Sequence, residues 1–517
     1  MTGVVTKDDL VVVGGEALDE DAVVAVARHG RRVVLADHVL PAMARSRRRL
    51  DEVADHRPVY GVSSGLGALS GTHVPVAQRE RMQLHAIRSH AAGAGPEVET
   101  EVVRAMMVLR LRTLASGRTG VRPELATALA GLLNAGITPV VHEHGSLGCS
   151  GDLAPLAHVA LALIGEGEVR DASGALVPAS RALADAGLTP VRVAAKEGLA
   201  LINGTEGMLG QLCLAAHDLA ALFTVADLAA AMSVEALLGS PRAFLPEVQA
   251  VRPHEGQASS AANILRVLAG SGLVGADQDT ARVTQDAYSL RCAPQVAGAG
   301  RDTLRHARHV ARGELAATVD NPVLLDSGPI ESNGNFHGAP LGYVMDFLAI
   351  AVADLAGISE RRTDRLLDAS RSKGLPAFLA HSPGLDSGYM IAHYTQAALV
   401  SDLKRLAVPA SVDSIPTSAM QEDHVSMGWA AARKLRRAVD GLTTVLAIEL
   451  LTAGRALDLR GRAALAPATA SVVEALRRHV AGPGPDRPLA PEIESATRLV
   501  ADGVLLAAAQ VRTGPLD

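Results

Sequence analysis

From Leu199 to Leu238 the chain is one long apolar stretch, and any fold it adopts must hide that stretch from water. A membrane is one solution and a protein core is the other. Asn203, Glu206, His217, Asp218, Asp227 and Glu235 interrupt it before ~18 clean apolar residues accumulate, so it reads as a buried helix, or two, and no membrane is expected. The rest of the core must be of the same kind. Hydrophobic residues make up 48% of the sequence but aromatics only 2%, which leaves Ala, Leu and Val, a palette that favours closely packed helices over a β-sandwich. The expected class is mainly α. Minor strand content is expected in the first sixty or so residues, where short apolar runs such as Leu10 to Val13 and Arg32 to Leu35 occur.

Charge and cysteine usage narrow the function. The net charge is -6 and the one short basic run, Arg45 to Arg49, reads as a solvated helix face, so no nucleic-acid partner is expected. Cys149, Cys213 and Cys292 are too few and too unpatterned for a disulfide framework or a zinc site, which points to a reducing compartment, the cytoplasm. Asp8 and Asp9 stand where a signal peptide needs a basic and then an apolar region.

Chemistry-bearing residues fall in short, separated blocks. Tyr60-Gly61-Val62-Ser63-Ser64-Gly65-Leu66-Gly67 is Gly-rich, but the glycine spacing fails the dinucleotide pattern and no clear βαβ unit follows. Ser89-His90-Ala91-Ala92-Gly93 closes a helical stretch that starts at Gln78. His142 and His144 flank Glu143, yet no further ligand cluster supports a metal, and none is expected. Next comes Gly145-Ser146-Leu147-Gly148-Cys149-Ser150-Gly151-Asp152-Leu153-Ala154-Pro155-Leu156-Ala157-His158, in local terms a Gly-rich loop before a helix capped by Ser150 or Asp152, with Pro155 tolerated in its first turn. Lys196 to Thr205 contains an Asn203-Gly204 turn, and Gln285 to Val296 contains Tyr288 and Arg291. Two loops follow, Asp320-Asn321-Pro322 and Ser332 to Gly338, the latter holding Phe336. The helix after Gly338 is apolar, with Asp346 and Asp354 as breaks, and is expected to end at Ser359 to Arg362; the last block is Ser411 to Gly428, containing Gln421-Glu422-Asp423-His424-Val425-Ser426-Met427.

These blocks, in this order from Tyr60 to Gly428, closely resemble the histidine/phenylalanine/tyrosine ammonia-lyase family, and the last resembles the form found among its histidine-specific members. The resemblance implies an ammonia-lyase (fumarase/aspartase-like) fold, with an N-terminal domain over residues 1–198 and a long helical bundle over 199–517. It implies a prosthetic group made from the backbone, methylidene-imidazolone (MIO), built from Cys149-Ser150-Gly151. The Gly151 amide nitrogen attacks the carbonyl of residue 149, which a side chain on Gly151 would hinder, and Ser150 loses water to leave the methylidene. Cys149 replaces the usual Ala, but its side chain hangs outside the ring.

By the same resemblance Tyr60 is the catalytic base and Asn203 stands beside the MIO and the substrate amine. Arg291 binds the substrate carboxylate, Gln285 and Tyr288 act near the MIO, Phe336 lies on an active-site loop, and His90 and Glu422 meet the substrate side chain. The implied reaction is elimination of ammonia from L-histidine to trans-urocanate by a homotetramer with shared active sites. Ser63, Leu66, Glu206 and Met420 depart from the family pattern, which keeps open a lyase or 2,3-aminomutase acting on tyrosine or another aromatic amino acid, and a silent paralogue serving as scaffold.

Overall fold

The computed structural model describes residues 10–15, 18–54, 56–274 and 285–517. It is mainly helical, as the Ala, Leu and Val core requires. The chain divides into two compact units. The first comprises Met1–His217, Arg308–Met345 and Pro409–Arg433, and the second Asp218–Ala307, Asp346–Val408 and Lys434–Asp517. The stretches 1–198 and 199–517 meet inside a short helix, Glu197–Ile202, that belongs wholly to the first unit.

The first unit opens with β1 (Leu10–Val13), α1 (Glu20–Ala27) and β2 (Arg32–Leu35). The two strands are the apolar runs legible in the sequence, and they pair in parallel with Leu10 opposite Arg32. Asp19 starts α1 by accepting a hydrogen bond from the Ala22 amide at 2.8 Å, satisfying one of the donors a helix start leaves open. α2 (Val39–Ala54) carries the basic run, which is less solvated than its composition implied. Arg47 donates to the Ala195 carbonyl at 2.8 Å and Arg49 to that of Leu325 at 2.7 Å, so both tie down distant loops.

The elements around the site follow in order: α3 (Arg79–His90), β3 (Ala94–Glu97), α4 (Thr100–Ala115), α5 (Pro123–Asn134), β4 (Thr138–Pro139), β5 (His142–His144), α6 (Leu153–Leu163), β6 (Glu168–Arg170), β7 (Leu176–Pro178), α7 (Ala179–Asp185) and α8 (Glu197–Ile202). β3 pairs antiparallel with β5, while β4, β6 and β7 form a small antiparallel sheet. α3 packs against both α6 and α8. Every residue of α8 is buried, so its six residues are held by their surroundings rather than by intrinsic helix stability.

α9 (Glu206–Ala236) completes the apolar stretch, which is therefore two helices broken at Asn203-Gly204. α9 is long and apolar enough to cross a membrane but is almost entirely covered by protein, the signature of a core helix that is hydrophobic all round. Further on come α10 (Pro246–Ala250), α11 (Glu255–Leu268), α12 (Tyr288–Arg291), α13 (Ala293–Ala316), the hairpin β8 (Val323–Leu324) and β9 (Ile330–Glu331), α14 (Ala339–Leu367), α15 (Met390–Leu406), α16 (Gly428–Arg460), α17 (Pro467–Arg477), α18 (Ala490–Ala501) and α19 (Val504–Thr513). α9, α13, α14 and α16, of 31, 24, 29 and 33 residues, each contribute to both units.

Buried charge locks these helices together inside the second unit. Glu449 of α16 accepts from Arg362 of α14 at 2.5 and 2.8 Å, from Ser359 of α14 at 2.6 Å and from Ser233 of α9 at 2.7 Å. Neither charged side chain is more than 1% exposed. Ser359 and Arg362, within the run that looked like the end of α14, are thus core contacts, and the helix runs on to Leu367 without breaking at Asp346 or Asp354.

Candidate active site

The Gly145 to His158 block becomes a loop followed by α6, and three other parts of the first unit hold the loop. Gly148 offers its carbonyl to the Gly338 amide at 2.9 Å and to the Ser426 hydroxyl at 2.7 Å, while the Met427 amide donates to Leu147 at 2.9 Å. The Asp152 amide donates to the Gly204 carbonyl at 2.7 Å, beside a parallel bridge between Gly151 and Gly204. Backbone touches backbone here. Gly151 has φ +73° and a Cβ on it would collide with the Gly204 carbonyl, so the backbone and its packing demand glycine at this position.

Asp152 precedes α6 but does not cap it with its side chain. Its carboxyl accepts instead from Ser146 at 2.8 Å and from the Met208 amide at 2.9 Å. Complete burial pushes this carboxyl up to about 7, against the lowering effect of those two donors.

Tyr60 lies in the loop before α3, and its hydroxyl oxygen accepts from the Gly67 amide at 2.9 Å. Burial raises its pKa above the ordinary value, the nearby Glu422 charge raises it further, and the Gly67 amide opposes both. Glu422 reaches the Cys149-Ser150-Gly151 segment, accepting from the Ser150 hydroxyl at 3.4 Å, and it accepts from Thr417 at 3.3 Å. The turn that presents it is strained, with φ of +54°, +53° and +66° at Ser418, Ala419 and Met420.

Asn203 ends α8, and its amide donates back to Leu199 at 3.1 Å. Only 4% exposed, it leaves Oδ1 without a hydrogen-bond partner. A buried amide oxygen in that state is ready for an external donor. That orphan oxygen, together with the glycine-only approach at Gly151, fits the MIO and its substrate amine to this part of the chain.

The backbone of Asn203 is fixed from below by Arg110 of α4, which donates to the carbonyls of Asn203 at 3.0 Å, Ala200 at 2.8 Å and Val319 at 3.1 Å. Glu206 holds Arg110 in turn, accepting from it and from Thr113, both at 2.7 Å. The Arg110 and Glu206 side chains are 1% and 4% exposed, so the acid at this departure from the family pattern neutralises a buried guanidinium. Lys196 and Asp320, both fully buried, pair at 2.7 Å and join the start of α8 to the loop before β8. Sequence reasoning assigned no role to Arg110, Lys196 or Asp320. Lys196 and Asp320 lie within the quoted blocks, whereas Arg110 gave no signal beyond an arginine in an apolar helix.

The remaining candidates are more dispersed. His90 is the last residue of α3 and bonds the Ala86 carbonyl through Nδ1 at 2.8 Å, which makes Nδ1 the donor and leaves Nε2 as acceptor in the neutral ring. Phe336 is half-buried in a turn whose next residue, His337, stacks on His424 with ring centroids 5.7 Å apart. Gln285, Tyr288 and Arg291 lie in the second unit. Gln285 is exposed, and the Arg291 guanidinium sits 4.6 Å over the Tyr288 ring while its Nε donates to the Asp286 carbonyl at 2.9 Å. The first unit thus gathers Tyr60, Cys149-Ser150-Gly151, Asn203 and Glu422; Tyr288 and Arg291 pair with each other in the second.

This chain matches the model of the aromatic amino acid lyase family over residues 18–478. It is 61% identical to the histidine ammonia-lyase of Streptomyces avermitilis over 508 residues, covering 98% of this chain and 99% of that one. Among solved structures it resembles the tyrosine aminomutase of Streptomyces globisporus (TM-score 0.93, 40% identity, 98% and 100% of the two chains) and the histidine ammonia-lyase of Trypanosoma cruzi (TM-score 0.89, 36% identity, 97% and 95%). The chain belongs to the aromatic amino acid lyase family. It has the ammonia-lyase fold and is a carbon–nitrogen lyase.

Proposed function

We propose that this enzyme eliminates ammonia from L-histidine to give trans-urocanate. The observation that carries this reading is the 61% identity, over nearly the full length of both chains, to a histidine ammonia-lyase. The Glu422 carboxylate beside Ser150 supports it, because a carboxylate accepts an imidazole N–H but would stand unpaired against a phenyl ring, at a cost of ~1 to 3 kcal/mol.

Elimination breaks the Cβ–H and Cα–N bonds and forms the Cα=Cβ double bond, and both departing groups need help. Cys149, Ser150 and Gly151 would form the MIO, which would supply an electrophile able to make the amine a better leaving group. Tyr60 removes the β-proton; the Gly67 amide supports its anion, while burial and Glu422 disfavour it. Asn203 offers its unpartnered Oδ1 to the amine. Arg291 grips the substrate carboxylate, a task suited to a planar guanidinium with paired donors, and Gln285 and Tyr288 act beside it. His90 and Glu422 orient the imidazole, and Phe336 bounds the pocket.

The assembly we propose is a homotetramer with shared sites. Tyr288, Tyr343, Tyr394, Phe347 and Phe378 are 71%, 60%, 64%, 48% and 37% exposed, and a chain with only five Tyr and five Phe that exposes five of these ten is prepared for burial against further copies. All three cysteines are unpaired, which supports a cytoplasmic setting.

The 40% identity to a tyrosine aminomutase favours one rival reading, in which the amine is retained and returned to Cβ. Incubation with L-histidine and with L-tyrosine, assaying free ammonia and resolving products by chromatography, separates the two. Urocanate with equimolar ammonia is the expected result; a β-amino acid without ammonia would overturn it.

A further inference from the structure

We propose that Gln83 is a positioning residue for this reaction, holding the loop of the base and the helix that ends at Asn203 in one fixed relation. The proposal rests on the assignment of Tyr60 as base. Gln83 lies in α3 and is completely buried. Its Nε2 donates to the carbonyl of Gly61, the residue after Tyr60, at 2.8 Å. Its Oε1 accepts from the amide of Leu199 at 2.9 Å. The partners dictate the orientation of the side-chain amide, since a carbonyl can only accept and a backbone N–H can only donate.

Each of these bonds stands one step from a reacting group. Leu199 is in the first turn of α8, where amides lack partners within the helix, so Gln83 satisfies one of them from outside. The Leu199 carbonyl in turn accepts from the Asn203 amide at 3.1 Å. One side chain therefore connects, through a single backbone hydrogen bond on one side and a single covalent neighbour on the other, to Asn203 and to Tyr60. The contact is tight: a Cβ at Gly198 would lie 2.5 Å from the Gln83 carbonyl oxygen, so α3 and α8 touch backbone to backbone at this point. His90 follows Gln83 by two helical turns on the same face of α3, which ties the proposed side-chain contact to the same rigid element.

A glutamine is chemically specific here. Met has similar volume but neither donor nor acceptor, and Glu keeps the acceptor for Leu199 while its ionised form cannot donate to Gly61. A shift of ~1 Å between base and substrate costs on the order of 100-fold in rate. If Gln83 works by placing Tyr60, its loss should lower kcat and leave substrate binding nearly intact, and the effect should vanish once Tyr60 can no longer act as base.

The test uses the full-length enzyme as Gln83→Met and, as a second variant should the first fail to fold, Gln83→Glu, each alone and combined with Tyr60→Phe. Intact mass is recorded for every protein. The expected result is that the single Gln83 variants have lost two waters as wild type does, keep KM within ~3-fold, and lose at least ~10-fold in kcat, while the double variant is no slower than Tyr60→Phe alone within ~2-fold. Multiplicative losses in the double variant, an unchanged kcat, or failure of the Gln83 variants to lose the two waters would each overturn the proposal. Near wild-type turnover by Tyr60→Phe alone would instead overturn the base assignment on which it rests.

Discussion

The Ser150 hydroxyl donates to the Glu422 carboxylate at 3.4 Å, across 272 residues of sequence. In the proposed reading, closure of an MIO at Cys149-Ser150-Gly151 would expel this hydroxyl as water and leave the carboxylate with an acceptor oxygen to offer a substrate. The first prediction follows from that sequence of events. Intact mass should fall short of the sequence mass by two waters in wild type, and Ser150→Ala should abolish both the deficit and the activity while leaving the helical circular dichroism unchanged. Full activity without the mass deficit would remove the proposed electrophile.

Tyr60→Phe keeps the ring and deletes the ionisable oxygen. Turnover should fall by at least ~100-fold, the usual effect of losing a positioned base, with the thermal midpoint little changed. Turnover close to wild type would shift the role to another group, Tyr288 first.

The pH profile carries a sign that can be checked. Burial and the Glu422 charge both hold the Tyr60 phenol above its ordinary value, so its anion forms only as the pH rises and kcat/KM should climb on the alkaline side. Removing the negative charge in Glu422→Gln lowers the Tyr60 pKa, so the rising limb should move to lower pH even though the plateau falls. A limb that stays in place, or moves upward, would contradict the electrostatic coupling of these two residues.

Glu449 tests what holds the second unit together. Glu449→Ala would strand the Arg362 guanidinium at 1% exposure, a change that costs about 3 to 5 kcal/mol. Replacing both partners with apolar residues, Arg362→Met with Glu449→Leu, should recover most of that loss, because the desolvation of both charges is removed as well. Denaturant unfolding measures both, and equal destabilisation of the single and double variants would refute the explanation.

How far the sequence could be read depended on where each residue finds its partners. Cys149-Ser150-Gly151 and Tyr60 stood out because the resemblance to the family is carried by contiguous segments, and the Leu199 to Leu238 stretch read as one buried helix or two because a surface helix cannot be apolar on every side; the break at Asn203-Gly204 makes it two. Leu10 to Val13 and Arg32 to Leu35 were legible as strands for their β-branched content. Gln83, Arg110 and Glu449 were not legible. Their partners are backbone atoms or charges far away in sequence, and a polar residue in a helix ordinarily signals the solvent face. The overextension of α14 past Arg362 has the same origin, since the charges that looked like a helix end are satisfied inside the second unit.

The most direct measurement is kcat/KM for L-histidine, L-tyrosine and L-phenylalanine in wild type and in Glu422→Gln. The account predicts that wild type prefers histidine over both and releases ammonia with urocanate. It also predicts that Glu422→Gln loses at least ~10-fold on histidine while changing phenylalanine far less, since a hydrogen-bonding site discriminates by the partner it leaves unpaired. A wild-type preference for tyrosine or phenylalanine, or histidine turnover untouched by Glu422→Gln, would contradict it.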